Sequence, residues 1–292
     1  MEEIVRVRNL DKSFGNFQAL NDVKFSVYAG EVVGFIGPNG AGKSTTIRTL
    51  LGMIQRDNGE VSIFGKDAWD DSLEIHKRIS YLPGDVALWD NLTGGEIIDV
   101  LLSLHGGGNH VKKDQLLKRF DLDPRKKAKT YSKGNRQKVG LIAALCTDSD
   151  LYVFDEPTSG LDPLMEAVFQ EEIEVLKQQG KAIFLSSHIL SEVERLADRV
   201  VIIRQGRIVE DGSLKELKHI TRSTMKLKLE TNTEDISKLS GIYDFRVEGE
   251  IAYFTVDHDA LNDLMTFAVK NGIEMMETNA PTLESLFMQH YE

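Results

Sequence analysis

The sequence is poor in three features that would each assign it to a class of protein: cysteine, long apolar runs and positive charge. Its 292 residues include one cysteine, Cys146, so no intramolecular disulfide can form and a reducing compartment is expected. The longest apolar runs, near Ile183 and Val200, are far shorter than the ~20 residues that a membrane-spanning helix requires. The formal net charge of −11, from 35 basic and 46 acidic residues, disfavours a protein that wraps nucleic acid, so no nucleic-acid partner is expected.

The first ten residues alternate charged and apolar side chains, which indicates a strand and lacks the continuous apolar core of a signal peptide. We therefore expect a cytoplasmic protein. If it acts at a membrane, it does so through a partner.

Short apolar runs alternate with amphipathic segments along most of the chain, which predicts an α/β fold. Runs at 32–36, 151–154, 182–185 and 200–203 are typical of buried parallel strands, and 4–10, 23–27 and 61–64 of antiparallel ones, so the sheet should be mixed. Helical spacing replaces the strand pattern over about 85–136. This predicts one domain at 1–220 with a helical insertion.

The pattern changes again after about residue 220. Strands at 225–230, 242–247, 251–256 and 273–278 alternate with helices at 236–239 and 260–271, which is a βαββαβ order. A last helix is predicted over 282–291. We expect a small accessory α+β domain at 221–292 with the element order of a ferredoxin-like fold, which either serves packing and dimerisation or tunes the activity.

The segment GPNGAGKST fits the phosphate-binding pattern G-x-x-x-x-G-K-[ST] at every fixed position. It lies between a predicted strand and a predicted helix, so bound phosphate would meet backbone N–H groups and the positive end of a helix dipole. Lys43 is expected to reach the β- and γ-phosphates of a nucleotide, and the Ser44 hydroxyl to ligate Mg²⁺. We call this segment the phosphate loop: Gly37, Pro38, Asn39, Gly40, Ala41, Gly42, Lys43, Ser44 and Thr45.

Two adjacent carboxylates, Asp155 and Glu156, end the apolar run LYVF. In an open α/β sheet the ligand lies at the carboxyl ends of the strands, where these residues are placed. Asp155 suits Mg²⁺, through water, and Glu156 suits a base that orients an attacking water.

Three further motifs follow the phosphate loop in order: YSKGN at 131–135, FDEPTSGLDP at 154–163 and SSH at 186–188. Together the four motifs resemble those of the nucleotide-binding subunit of ATP-binding-cassette (ABC) transporters, over about residues 3–220. The resemblance implies the P-loop ATPase fold, with ATP and Mg²⁺ as ligands.

The same resemblance implies a head-to-tail dimer, in which each ATP lies between the phosphate loop of one copy and the signature segment (131–135) of the other. Ser132 and Gly134 would contact the γ-phosphate in trans, from the start of a helix at 136–145. Ser132 could also serve as the N-cap of that helix, and the two roles are compatible. His188 would contact the γ-phosphate and help hold the attacking water. Asp162 would lie in the loop that communicates across the dimer, and Phe14 would stack on adenine, although Phe14 could equally be a core residue.

The chain departs from the family pattern in two places. Gly84 stands where a glutamine usually contacts Mg²⁺, so water or a neighbour such as Asp85 has to replace that contact. The signature segment, usually Leu-Ser-Gly-Gly-Gln, has Tyr131, Lys133 and Asn135 here. For Lys133 the sequence is compatible with both a phosphate contact and a solvent-exposed position.

The sequence therefore predicts an ATPase that energises a transporter by ATP-driven closure of two copies, and the resemblance implies an exporter with a separately encoded permease. Two alternatives are a cassette ATPase acting in translation or DNA maintenance, and a small-molecule kinase. Translation-type members are expected to have two cassettes and DNA-maintenance members a long coiled coil, and neither pattern occurs here. A kinase would leave YSKGN and SSH unexplained.

Overall fold

The structure, a computed structural model, describes residues 2–214, 216–217 and 222–279. The chain divides into two compact units, Met1–Asp211 and Gly212–Glu292. The sequence placed this boundary later, at 220, because the strand pattern of the second unit begins only there. The helix predicted over 282–291 lies outside the described residues.

A six-stranded sheet forms the centre of the first unit. Its strands, in spatial order, are β10 (Arg207–Ser213), β9 (Arg199–Arg204), β3 (Val32–Ile36), β8 (Ala182–Ser187), β7 (Leu151–Asp155) and β6 (Ile79–Leu82). The pairs β9–β3, β3–β8, β8–β7 and β7–β6 are parallel. Every residue of β3, β7 and β8 is buried, as in a parallel sheet covered on both faces. The carboxyl ends of these three strands meet at one edge, where the site lies.

A second sheet of the first unit is antiparallel. Its strands, in spatial order, are β2 (Phe17–Tyr28), β1 (Glu3–Phe14), β4 (Asn58–Ile63) and β5 (Lys66–Asp67). Together with the parallel sheet it confirms the predicted α/β class, in which parallel and antiparallel strands both occur.

Aromatic and aliphatic side chains fill the space between the two sheets. The rings of Phe25, Phe35 and Phe184 lie 5.2–5.6 Å apart, centroid to centroid, and come from strands of both sheets. Ile47 and Leu50 of the helix that follows the phosphate loop pack into the same cluster. This packing fixes the phosphate loop relative to the sheet.

Helices complete the first unit: α1 (Lys43–Leu50), α2 (Ser72–His76), α3 (Gly94–Leu104), α4 (His110–Arg119), α5 (Lys133–Leu145), α6 (Pro163–Gln178) and α7 (Leu190–Leu196). The predicted helical insertion contains α3, α4 and the start of α5. Side chains cap these helices at Thr93, Asn109 and Ser132. Because Ser132 is the cap, α5 begins at Lys133, whereas the sequence predicted a start at 136.

The second unit contains a four-stranded antiparallel sheet with the spatial order β12 (Ile242–Glu248), β13 (Ile251–Val256), β11 (Ser223–Leu229) and β14 (Ile273–Asn279). The helix predicted at 236–239 is a 3₁₀ helix, Thr233–Lys238, and α8 (Leu261–Lys270) precedes β14. Leu227, Phe254 and Leu264 are buried in a separate core.

Candidate functional site

The phosphate loop leaves the end of β3 and leads directly into α1. Gly40 and Gly42 have φ values of 80° and 113°, which L side chains rarely adopt. At Gly37 a Cβ atom would lie 2.4 Å from the carbonyl oxygen of Ile203, so this position also requires glycine. The loop therefore has the tight backbone that phosphate binding needs, with N–H groups at the amino end of α1.

Lys43 is 6% exposed and lies at the mouth of this loop. Its Nζ donates to the carbonyl oxygens of Gly37 at 2.6 Å and Pro38 at 3.3 Å. Burial lowers the pKa of the Lys43 ammonium, and the carboxylates of Glu156 and Asp155 oppose that shift. Phosphate oxygens would likewise favour the charged form, because they bring further negative charge to a buried cation.

Asp155 and Glu156 end β7 next to β8. Ser186 Oγ donates to Asp155 Oδ1 at 2.5 Å, and Ser186 also accepts from the Glu156 N–H through its carbonyl oxygen at 3.1 Å. Glu156 has a φ of 49°, in the left-handed region, although it is not glycine. Such a conformation persists only where surrounding contacts hold it, and it is frequent at functional sites.

The Glu156 carboxylate lies between two cationic or potentially cationic groups. Its Oε1 is 4.0 Å from Lys43 Nζ, and its Oε2 is 3.1 Å from His188 Nδ1. The structure thus brings together three residues, Lys43, Glu156 and His188, that are distant in sequence. A carboxylate held in this way can accept a proton from, or orient, a water beside a phosphate.

The magnesium prediction concerns Ser44 and Asp155. Among the described residues, no group of three or more histidine, cysteine, aspartate or glutamate side chains could hold a metal by itself. This donor set fits Mg²⁺, which keeps several waters and is commonly bound by one or two protein groups together with nucleotide phosphates. Asp155 is 7% exposed and keeps one carboxylate oxygen beyond the one bonded to Ser186.

Gly84, where the family pattern has glutamine, lies against Asp155. A Cβ atom built on Gly84 would be 3.3 Å from the Asp155 carbonyl oxygen and 3.5 Å from its Cγ. A side chain at position 84 would therefore enter the site directly. Asp85, the next residue, is exposed.

The signature segment begins α5 and contacts the loop after β7 of the same chain. Ser132 Oγ accepts from the Asn135 N–H at 3.3 Å, and a Cβ atom on Gly134 would lie 2.4 Å from the carbonyl oxygen of Gly160. Lys133, whose position the sequence left open, donates from Nζ to Ser159 Oγ at 2.9 Å. Within one chain, Ser132 and Gly134 therefore contact α5 and the loop after β7. Lys43, by contrast, contacts the phosphate loop.

Phe14 lies at the tip of the β1–β2 hairpin and is 50% exposed, which disfavours the core alternative. Phe17, its partner across the hairpin, is also exposed. Further down the same hairpin, the Ala19 carbonyl oxygen lies 3.1 Å from the Cβ position of Gly42. The hairpin therefore leads from the phosphate loop to an exposed aromatic ring, and base stacking by Phe14 stays a prediction.

Asp162 caps α6. Its Oδ1 accepts from the N–H groups of Leu164 at 3.1 Å and Met165 at 3.0 Å. These bonds give Asp162 a structural role in one chain. Its predicted role across the dimer stays a prediction.

Two residues of the site were missed in the sequence. Ser186 pairs with Asp155 across the sheet, and the SSH motif that contains it was the available signal. Gln137, 2% exposed on α5, donates from Nε2 to the carbonyl oxygens of Glu156 at 3.3 Å and Pro157 at 3.0 Å. Its position two residues after the signature segment carried no such signal.

An apolar groove of about 260 Å³ separates the end of β6 from the helical insertion. Its walls include Leu82, Pro83, Leu88, Trp89 and Leu101. Trp89 is 51% exposed, which is unusual for a tryptophan.

In the part of the chain that the structure describes, every helix is too short or too polar to cross a bilayer.

Comparisons with known proteins agree with this geometry. The ABC transporter family profile matches residues 20–159. The bacitracin transport ATP-binding protein BcrA of Bacillus licheniformis is 32% identical over 303 aligned positions, which cover 99% of this chain and 97% of BcrA. Uncharacterized ABC transporter ATP-binding proteins of Synechocystis and Nostoc are 38% and 41% identical, each over 68% of this chain, and the match spans only 58% and 61% of their lengths.

Solved structures show the same fold. A structure described as the ATP-binding subunit of an ABC transporter is 33% identical, covers 74% of this chain and 92% of its own, and superposes with a TM-score of 0.68. The dimeric cassette MJ0796, bound to ADP and Pi, is 23% identical, covers 72% of this chain and 99% of its own, and has a TM-score of 0.66. At that identity it supports the fold alone.

Proposed function

This chain belongs to the family of ABC transporter ATP-binding proteins, and from that premise we propose that it hydrolyses ATP to energise a membrane transporter. The observation that carries the proposal is the convergence of Lys43, Glu156 and His188 beside the phosphate loop. Lys43 begins α1, Glu156 follows β7 and His188 follows β8, and together they are the groups that phosphoryl transfer to water requires.

The proposed cycle begins when two copies bind ATP and close head to tail. Each nucleotide then bridges the phosphate loop of one copy and the signature segment of the other. The exposed Ser132 and the N–H groups at the start of α5 are suited to the γ-phosphate, because a helix end offers unpaired donors and a positive dipole.

Within each site, Glu156 and His188 orient water for in-line attack on the γ-phosphate. Lys43 and the loop N–H groups stabilise the charge that develops on the phosphate oxygens. Mg²⁺, held by Ser44 and Asp155, would supply charge neutralisation between the β- and γ-phosphates. Hydrolysis removes the group that bridges the two copies, so the dimer reopens.

We further propose that a separately encoded permease docks a cytoplasmic helix in the apolar groove at Trp89, which would place this subunit at the cytoplasmic face of the membrane. Export is the direction that the resemblance favours, and BcrA is named for bacitracin transport. The second unit is proposed to stabilise the dimer. The comparisons give no support to roles in translation or DNA maintenance.

Two measurements test the proposed function. The purified chain should hydrolyse ATP in the presence of Mg²⁺, and hydrolysis should rise more steeply than linearly with protein concentration, because two copies form each site. Purification from detergent-solubilised membranes should recover a polytopic membrane protein. Absence of hydrolysis, or recovery of ribosomes in place of a membrane protein, would contradict the proposal.

Replacement of Phe14 by alanine is expected to weaken ATP binding about 5- to 150-fold, because aromatic–base stacking contributes about 1–3 kcal/mol. Fluorescence titration with a labelled nucleotide measures the change. Phe17→Ala is the matched control, since it removes the same side chain from the opposite position of the hairpin. An equal loss in both variants would show that hairpin stability, and not stacking, is responsible.

Replacement of Asp85 by alanine is expected to raise severalfold the Mg²⁺ concentration that gives half-maximal hydrolysis, since Asp85 is proposed to replace the usual glutamine contact. In a Gly84→Gln background the same replacement should have little effect, because a glutamine at position 84 would reach the site beside Asp155. An unchanged Mg²⁺ dependence in Asp85→Ala would remove this residue from the site.

A further inference from the structure

Gln137 has a buried side-chain amide that donates to the carbonyl oxygens of two successive residues. Its Nε2 donates to the carbonyl oxygens of Glu156 and Pro157, at 3.3 and 3.0 Å, and the side chain is 2% exposed. A buried amide hydrogen bond of this kind is costly to leave unmade. The bond therefore ties the first turns of α5 to the segment that carries the proposed catalytic carboxylate.

Glu156 is the residue in this segment whose conformation most needs support. Its φ of 49° is unfavourable for a side chain with a Cβ atom. Ser186 holds the Glu156 N–H, and Gln137 holds the Glu156 carbonyl oxygen, so the two peptide groups that flank the strained Cα are fixed from opposite sides. The direction of the Glu156 carboxylate follows from that backbone conformation.

Two more contacts join the signature segment to the same loop. Lys133 binds Ser159, and Gly134 approaches the Gly160 carbonyl oxygen so closely that a Cβ atom would lie 2.4 Å from it. The start of α5 and residues 156–160 are thus joined at three successive points. A displacement of α5 on γ-phosphate binding would move this loop as well.

We propose that Gln137 is a positioning residue that couples the signature segment to Glu156 of the same chain. The inference rests on the proposed function, because it assumes the head-to-tail dimer. In that dimer the signature segment of one copy contacts the nucleotide of the other, while Gln137 orients the Glu156 that acts on its own copy's nucleotide. Engagement of one nucleotide therefore adjusts the carboxylate that hydrolyses the second.

The first test replaces Gln137 with methionine, which keeps a similar volume but cannot donate a hydrogen bond. The kcat for ATP hydrolysis should fall about 10- to 100-fold, as for a misplaced catalytic group, with KM and the affinity for ATP within about twofold of the unmodified protein. ATP-dependent dimers should still form. A kcat within twofold of the unmodified protein would overturn the proposal.

Ser80→Ala is the matched control. Ser80 is 3% exposed and donates to the carbonyl oxygen of Ala144 at 2.9 Å, so this replacement removes a buried hydrogen bond to the far end of the same helix. It should lower the Tm but leave kcat within about twofold. If both variants lose activity in proportion to their Tm, general destabilisation of α5 accounts for the effect and the proposal fails.

Mixed dimers separate an effect on Glu156 from an effect on the signature segment. In the first, a Gln137→Met copy is paired with a Glu156→Gln copy, so that hydrolysis depends on the Glu156 that lacks its partner. In the second, one copy carries both replacements and the other is unmodified. Single-turnover phosphate release should be slow in the first dimer and close to that of an unmodified/Glu156→Gln dimer in the second.

Slowing of the second dimer alone would overturn the proposal, since Gln137 would then act through the signature segment, and equal slowing of both would overturn it as well, since the effect would then not be confined to Glu156 of the same copy. If the reference dimer of one unmodified copy and one Glu156→Gln copy releases no phosphate, the Gln137→Met homodimer provides the test. A lower kcat with KM within about twofold supports the proposal, and an unchanged kcat overturns it. Failure of the proposed function itself would give a different result, because the unmodified protein would then show no hydrolysis or no ATP-dependent dimer.

Discussion

The Glu156→Gln variant should bind ATP normally, lose hydrolysis by about 10²- to 10⁴-fold, and accumulate as an ATP-bound dimer. The amide has the shape of the carboxylate but cannot accept the proton of an attacking water. Contacts that bind the nucleotide, at Lys43 and the loop N–H groups, do not involve the replaced group. Because the dimer is proposed to open only after hydrolysis, slow hydrolysis leaves it closed.

Size-exclusion chromatography with ATP and Mg²⁺ measures the dimer, and phosphate release measures turnover. Glu174→Gln is a suitable control, since Glu174 is an exposed carboxylate on α6 that accepts from Gln178 four residues later. That variant should behave as the unmodified protein. Rapid hydrolysis by Glu156→Gln would show that another group activates the water, and the catalytic assignment would be wrong.

Much of the fold could be predicted because its signals are local. The buried strands β3, β7 and β8 are continuous apolar runs, and the phosphate loop has a fixed spacing between a strand and a helix. The start of α5 was placed at 136, although the sequence also offered Ser132 as an N-cap residue; in the structure Ser132 is the cap and the helix begins directly after it.

The contacts that organise the site could not be predicted, because they depend on strand register and helix orientation. Ser186 binds Asp155 only because β7 and β8 are parallel neighbours that pair these two positions. Gln137 reaches Glu156 only because α5 packs that face against the end of β7. A single sequence contains neither the register nor the rotation of the helix.

Lys133 departs from the family pattern of the signature segment, and its contact in the structure changes how this departure is interpreted. The sequence allowed either a phosphate contact or exposure to solvent. In the structure Lys133 is exposed, as the second alternative has it, and its ammonium also donates a hydrogen bond to Ser159 in the same chain. This departure from the family pattern therefore adds a link between the signature segment and residues 156–160, the same link that Gln137 makes further along α5.

Replacement of Gly134 by alanine is expected to abolish ATP-dependent dimer formation and to lower hydrolysis by about 100-fold or more, while one copy still binds nucleotide. The added Cβ atom would lie 2.4 Å from the Gly160 carbonyl oxygen, so the signature segment or the loop has to move. Lys43 and the phosphate loop do not take part in this contact, which is why nucleotide binding by the single copy should survive.

Gly212→Ala is the control for the substitution, because its Cβ atom would meet the side chains of Leu217 and Glu216 at ordinary distances of 3.4 and 3.8 Å. The decisive measurement mixes two inactive variants, Gly134→Ala and Glu156→Gln. In a head-to-tail dimer of the two, the Gly134→Ala copy supplies Lys43 and Glu156, and the Glu156→Gln copy supplies an intact signature segment, so one complete site forms. Hydrolysis should therefore return on mixing, whereas a site built within one copy would leave the mixture as inactive as its components.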